Sequence, residues 1–238
     1  MLVFYANHDT PEDTKMLRAV AFDMDGLMFN TEDVYSAVGT ELMRRRGREF
    51  CSGLKDAMMG LPPQATFEAM INWHSLEDDW KDLSAESDLL FVEYLDGYLA
   101  PMPGLLDLLD AMEAAGIPKA VATSSSRYLA DTILSRFDMP ARFDFILTSE
   151  SITNGKPDPE IYLLAAERFG LPSAEMMVLE DSINGCRAAV AAGTFVVAVP
   201  NEHTAHQDFS IATETVDALT SPTIYTALGL DNIAKKSM

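Results

Sequence analysis

The chain has 238 residues, with 17 Lys and Arg against 37 Asp and Glu and a formal net charge of −20. That length holds one large core or a core domain carrying a smaller insertion, and the charge argues against nucleic acid or an anionic membrane surface as a partner. The two cysteines, Cys51 and Cys186, fit no metal or disulfide pattern, and no apolar stretch approaches the roughly 20 residues of a membrane span, so the expectation is a soluble cytoplasmic protein.

Residues 1–16 carry no interpretable pattern and read as an N-terminal extension. Ala19-Val20-Ala21-Phe22 is then the first of five short apolar runs. The others are Ala120-Val121-Ala122, Phe145-Ile146-Leu147, Met177-Val178-Leu179 and the run from Phe195 to Val199. Each is too short for a helix and apolar on both faces, as buried parallel strands are. Between the first run and the second, from about Val34 to Pro101, only helical patterns occur. Val34, Val38 and Leu42 share one face, Phe67, Met70 and Ile71 suggest another, and Trp73, Trp80 and Phe91 supply bulk for a small separate core. Pro101, Pro103 and Gly104 mark the exit. Leu105, Leu108, Leu109 and Met112 then recur at helical spacing before Gly116, as do Ile161, Leu164, Ala165 and Phe169 before Gly170. This alternation predicts an α/β fold, a doubly wound parallel sheet (17–33 and 102–238) with a helical insertion at 34–101 and ligands outside the carboxyl ends of the strands. The tail beyond Gly229 adds no readable signal.

Each strand end carries a chemical group. Asp23 and Asp25 follow the first; residues i and i+2 of a strand point the same way, so both carboxylates could face one pocket, and Gly26 permits a turn. The alternative is a pair that caps backbone donors. Thr123-Ser124-Ser125-Ser126 follows the second strand, where hydroxyls and N–H groups at a helix start make an anion site, with ordinary N-capping by Ser125 or Ser126 as the competing role. Gly155-Lys156-Pro157-Asp158-Pro159 holds Lys156 in a stiff loop, with Asp158 as N-cap and Pro159 in the first helical turn. Glu180 and Asp181 end the fourth strand. Four carboxylates gathered at one edge repel unless a cation sits among them, and oxygen-only ligands favour Mg²⁺; otherwise Glu180 faces solvent and Asp181 caps a helix.

In order, FDMDGL, ATSSS, GKPDPEIY and LEDSINGCRAAVAAG resemble the four motifs of the haloacid dehalogenase superfamily, over about Ala19 to Pro200. The helical insertion after the first motif is similar to the branch of phosphatases and β-phosphoglucomutase-like enzymes that carry a small cap on a Rossmann-like core. The resemblance implies a Mg²⁺-dependent phosphatase of a small phosphorylated metabolite. Asp23 would be the nucleophile that becomes an aspartyl phosphate, and Asp25 the acid and base. Thr123, Ser124 and Lys156 would hold the phosphoryl oxygens. Asp23, the Asp25 carbonyl, Asp181 and Glu180 (direct or through water) would hold Mg²⁺.

Two rival readings are a sugar phosphomutase and a catalytically silent metabolite-binding member. The mutases carry a His where this chain has Tyr35, which favours hydrolysis. Asn30 stands where many members have Asp, a change that bears on cap hinging or a substrate contact. Specificity contacts are expected around Lys55, Met58, Met59 and Gly60. The cluster Arg44, Arg45, Arg46 and Arg48 reads either as a site for a second anion or as a solvated helix face beside Glu41 and Glu49. His74 and His203 fit no ligand pattern, and a monomer suits a protein whose cap must move.

Overall fold

The computed structural model describes residues 16–58 and 63–230. The N-terminal extension, Met59 and Gly60, and most of the C-terminal tail lie outside the described residues.

The element order is β1 (Ala19–Phe22), α1 (Thr31–Arg45), α2 (Ser52–Met58), α3 (Pro63–His74), α4 (Trp80–Tyr98), α5 (Leu105–Ala115), β2 (Lys119–Ala122), α6 (Arg127–Ser135), β3 (Phe145–Leu147), α7 (Glu160–Phe169), β4 (Met176–Glu180), α8 (Ile183–Ala191), β5 (Phe195–Ala198), β6 (Glu214–Thr215) and α9 (Pro222–Ala227). Among the described residues six strands form one parallel sheet in the order β3-β2-β1-β4-β5-β6. The first strand therefore sits in the middle, and the chain leaves it in opposite directions through β2 and β4. That is the switch point at which an open α/β sheet leaves a crevice.

Period-two alternation divides the core. Val20, Phe22, Val121, Met177, Leu179 and Val197 face one side, where α5 and α6 pack. Ala21, Ala122, Val178, Val196 and Ala198 face the other, against α7 and α8. Small residues recur on that second side, which suits close helix packing. Gly116 and Gly170 close α5 and α7 in the left-handed region (φ 67° and 66°), as their positions after the last apolar residue require.

Several expectations change. β3 is an edge strand, so Phe145 and Ile146 are only half-buried. β6 is two exposed residues with no apolar pattern, which left no sequence signal. Among the described residues the apolar side chains of the insertion form no core apart: Leu54, Met70, Leu83, Leu90 and Phe91 join the cluster that covers the α5 face of the sheet. Trp73 is 49% exposed rather than buried in it. Arg44 and Arg45 pair with Glu41, Arg45 and Arg46 with Glu86, and Arg46 with Asp78, so these guanidiniums tie α1 to α4 and the loop before it. Arg44 and Arg45 fit the solvated-face reading, whereas Arg46, its side chain only 17% exposed, bridges to Asp78 and Glu86.

The two linkers of the insertion lie side by side. Met102 N–H donates to the Met28 carbonyl (2.8 Å), and Asn30 N–H to the Ala100 carbonyl (3.2 Å). The Asn30 side chain uses both ends: its Oδ1 accepts from Ala100 N–H (2.6 Å), while its Nδ2 donates to the Tyr98 carbonyl (3.0 Å) and to Asp33 Oδ2 (2.8 Å). A carboxylate cannot make the last two contacts. Asn30→Asp is expected to cost about 1–3 kcal/mol of stability, since it sets acceptor against acceptor at two places. A urea midpoint unchanged from wild type would contradict this account of the linker.

Candidate active site

The sheet register brings the chemistry together. Phe22 pairs with Leu179 and with Val121, so Asp23 and Glu180 emerge one residue past these pairings, and Thr123 two residues past, at the same edge. Asp23 N–H still donates to the Leu179 carbonyl (3.0 Å), and Thr123 N–H to the Leu147 carbonyl (3.0 Å). The first strand-end residues are thus held by ladder hydrogen bonds.

Lys156 reaches this edge from the loop before α7, its side chain only 5% exposed. Its ammonium donates to Asp23 Oδ1 (2.5 Å), Glu180 Oε1 (2.7 Å) and the Ala122 carbonyl (3.0 Å). All three N–H bonds are used. Glu180 is fully buried, and each of its oxygens accepts twice: Oε1 from Lys156 and from the Tyr162 hydroxyl (2.7 Å), Oε2 from Ser182 N–H (3.2 Å) and Oγ (3.0 Å). A Cβ on Gly185 would fall on this carboxylate, so the first turn of α8 must carry glycine there.

Asp181 comes next. Asn201, just past β5, donates from Nδ2 to Asp181 Oδ2 (2.8 Å) and to the Gly26 carbonyl (3.0 Å). Gly26 has φ 79°, and a Cβ there would collide with the Asp181 carboxylate. The turn after Asp25 is therefore closed by the residue that positions Asp181.

Asp25 turns toward the second strand end. Its Oδ2 accepts from Ser125 Oγ (2.7 Å) and Thr123 Oγ1 (3.0 Å), while its Oδ1 is buried with no hydrogen-bond partner among the described residues. Thr123 and Ser125 hydroxyls thus hold the second carboxylate, a role not foreseen for either. Ser126 caps α6 by accepting from Leu129 N–H (3.3 Å), and Ser124 is exposed in the same loop. Ser182, not Asp181, caps α8, and Glu180 does not face solvent. Pro159 is the residue before α7, with Asp158 Oδ1 accepting from Glu160 N–H (3.0 Å), one position away from the expected cap.

Asp23, Glu180 and Asp181 place one oxygen each within 4.8 Å of one another, and all three residues are buried. One ammonium faces them. Burial pushes the Asp23 carboxyl well above the ordinary range, Lys156 opposing and Glu180 and Asp25 adding to the rise. Burial does the same to Asp181, reinforced by Asp23 and Glu180. Burial alone would pull Lys156 down, yet Asp23 and Glu180 hold it well above the usual lysine range. Three buried carboxylates against one cation are a set of hard oxygen ligands short of positive charge, which a divalent ion of the Mg²⁺ kind fits.

Tyr162, Ser125, Ser182 and Asn201 are the functional neighbours that sequence reasoning missed. Tyr162 lies inside a stretch already singled out, GKPDPEIY, and Asn201 follows the fifth apolar run by two residues. Their polar groups at buried or strand-terminal positions were the available signal.

The family model described as haloacid dehalogenase-like hydrolase matches residues 20–199. The chain is 34% identical over 181 residues to the phosphorylated carbohydrates phosphatase of Thermotoga maritima, covering 74% of this chain and 82% of that protein. It is 32% identical over 214 residues to a Drosophila melanogaster protein named "Probable pseudouridine-5'-phosphatase", with 86% and 92% covered. The crystal structure of CbbY from Rhodobacter sphaeroides in complex with phosphate superposes with a TM-score of 0.73 at 28% identity, covering 86% of this chain and 95% of that one.

The raised carboxyls fix the sign of a pH effect. Folded Asp23 and Asp181 bind protons more tightly than the unfolded chain does, so their penalty is absent below the ordinary carboxylate range and grows as pH rises through their raised values. A cation that binds the ionised groups offsets it. In urea unfolding the stability gained from Mg²⁺ over EDTA is expected to increase from pH 5 to pH 8, reaching on the order of 2–3 kcal/mol at a hundredfold excess over Kd. Asp181→Asn should lose most of that gain; an equal gain in the variant would remove Asp181 from the cation site.

Proposed function

The chain belongs to the haloacid dehalogenase-like hydrolase family, and on that premise we propose that it is a Mg²⁺-dependent phosphatase of a small phosphorylated metabolite, working through a phosphorylated Asp23. The observation that carries the reading is the buried Lys156 ammonium bonded at once to Asp23 and Glu180 beside a third buried carboxylate, Asp181. Relatives named as phosphatases at 32–34% identity support it.

Asp23 attacks phosphorus with one carboxylate oxygen as the ester bond to the leaving oxygen breaks. Lys156 opposes the effect of burial on the attacking carboxylate, holds it in register, and offers its charge to a phosphoryl oxygen. Asp25 protonates the departing oxygen and then takes a proton from the water that cleaves the aspartyl phosphate, work that commonly contributes about 10²–10⁴-fold. Its unpartnered Oδ1 is the atom available for that transfer, while Thr123 and Ser125 hold Oδ2. The backbone and hydroxyl of Ser124 lie at the start of α6, where a phosphoryl oxygen is favoured. Asp23, the Asp25 carbonyl and Asp181 would hold Mg²⁺, which when bound would supply neutralising charge to the phosphoryl group. Glu180, with both oxygens already accepting twice, serves mainly to anchor Lys156 and would meet the ion through water.

The helices α1 to α4 act as a cap over this edge, excluding water while Asp23 carries the phosphoryl group. Tyr35 on α1 supports hydrolysis over isomerisation. A phenol is protonated at neutral pH, and desolvation with the charges of Asp25 and Glu32 raises this one above its ordinary range, so it is no substitute for the proton-carrying His of a mutase.

Asp23→Asn keeps the Lys156–Glu180 pair and should fold normally, but phosphate release with Mg²⁺ should fall to background, while Asp25→Asn should lower kcat by about 10²–10⁴-fold. The readout is inorganic phosphate from a panel of sugar and nucleoside monophosphates. Turnover retained by folded Asp23→Asn would sink the nucleophile assignment.

A further inference from the structure

Residues of α1 to α4, with Phe50 and with Leu129 of α6, line a cavity of 410 Å³ that reaches Glu32 and Tyr35. Leu129 lies in the first turn of α6, directly after the loop whose Ser125 holds Asp25, so a leaving group departing from this edge would enter the cavity. Val38, Leu42, Phe50, Phe67 and Met70 form an apolar wall, while α4 contributes Ser84, Ser87 and Asp88. Tyr35 stands at its edge, with its ring against Phe91 at 4.6 Å between centroids.

Charge decides what can enter. Among the described residues Lys55 is the one cation lining the cavity. Its ammonium donates to Ser36 Oγ (2.8 Å) and lies 3.1 Å from His203 Nδ1, whose Nε2 is 3.3 Å from Asp33 Oδ1. This Lys is committed to joining α2 to the loop after β5. Residues 59–62, Met-Gly-Leu-Pro, carry no charge, and Arg44, Arg45 and Arg46 are paired with Glu41, Glu86 and Asp78. Against the single ammonium stand Glu32 and Asp88, whose carboxyls burial already pushes up. A second phosphate here would meet two carboxyl groups and no uncommitted cation, in a site where unit charges act across a reduced dielectric. The transferred phosphate, by contrast, is served by Lys156 and the start of α6.

Resting on the phosphatase reading, we propose that the leaving group is uncharged and carries a flat apolar face, so that the substrate class is the nucleoside-like phosphate monoester and bisphosphates are rejected at the cap cavity. The apolar wall rewards a ring, and the serines of α4 with Tyr35 offer hydrogen bonds to its polar edge. Discrimination comes as much from the carboxylates set against a second anion as from contacts made to the right one.

The test compares kcat/KM, with Mg²⁺, for uridine 5'-monophosphate, ribose 5-phosphate and ribose 1,5-bisphosphate. The expected order is the one just given, with the bisphosphate on the order of 10²-fold below the nucleotide. Asp88→Asn should narrow that ratio by raising the relative rate of the bisphosphate. A bisphosphate turned over as well as the nucleotide overturns the inference while leaving the phosphatase reading in place. Ribose 5-phosphate equal to the nucleotide overturns the apolar-face part. No phosphate release from any of the three overturns the phosphatase reading, and the inference with it.

Discussion

A single buried ammonium holds the site together. Lys156 spends all three of its N–H bonds on Asp23, Glu180 and the end of β2, and so ties three strand ends to one point. A buried ion pair adds little net stability against an apolar replacement, but removal of one partner leaves a buried charge uncompensated. Geometry is what this arrangement gains. The carboxylate of Asp23 is kept in one rotamer, and Glu180 is fixed from four sides, by Lys156, Tyr162 and both groups of Ser182.

The rest of the fold serves that contact. Register between β1 and β4 sets Asp23 beside Glu180, and Gly185 leaves room for the Glu180 carboxylate under α8. Gly26 lets the chain leave β1 without striking Asp181, and Asn201 pins both. On the other side Asp25 is turned toward the end of β2 by two hydroxyls of the loop that follows it. Two carboxylates only one residue apart in sequence thereby receive different partners, one an ammonium and the other neutral hydroxyls. In the mechanism we propose, that separation lets one attack while the other moves a proton.

Much of this was legible in the sequence because strand ends in a parallel sheet are predictable places. Five of the six strands show as apolar runs, and the chemical groups follow them directly. The sixth, Glu214–Thr215, is too short and too exposed to leave a pattern. Side-chain partnerships were less readable. Nothing in ATSSS distinguishes the serine that caps α6 from the one that holds Asp25, since that depends on where the β1 loop passes. Tyr162 scans as one more apolar residue of α7 until Glu180 is placed beneath it. Trp73 was expected inside a separate helical core, yet the insertion shares the core of the sheet and leaves that ring partly outside. Asn30 was visible as a departure from the family pattern, but its use of both amide ends to clasp the two linkers needs the positions of Tyr98 and Ala100.

The central claim is that Asp23 becomes covalently phosphorylated. The direct measurement is to quench the enzyme during turnover with Mg²⁺ and a monophosphate substrate, reduce it with borohydride, and map the chain by peptide mass spectrometry. An acyl phosphate at Asp23 is reduced to homoserine, and the account predicts that residue at position 23 only when substrate is present. Reduction at Asp25 or Asp181 instead, or steady turnover under conditions that trap a model acyl phosphate but leave every carboxylate unmodified, would contradict it.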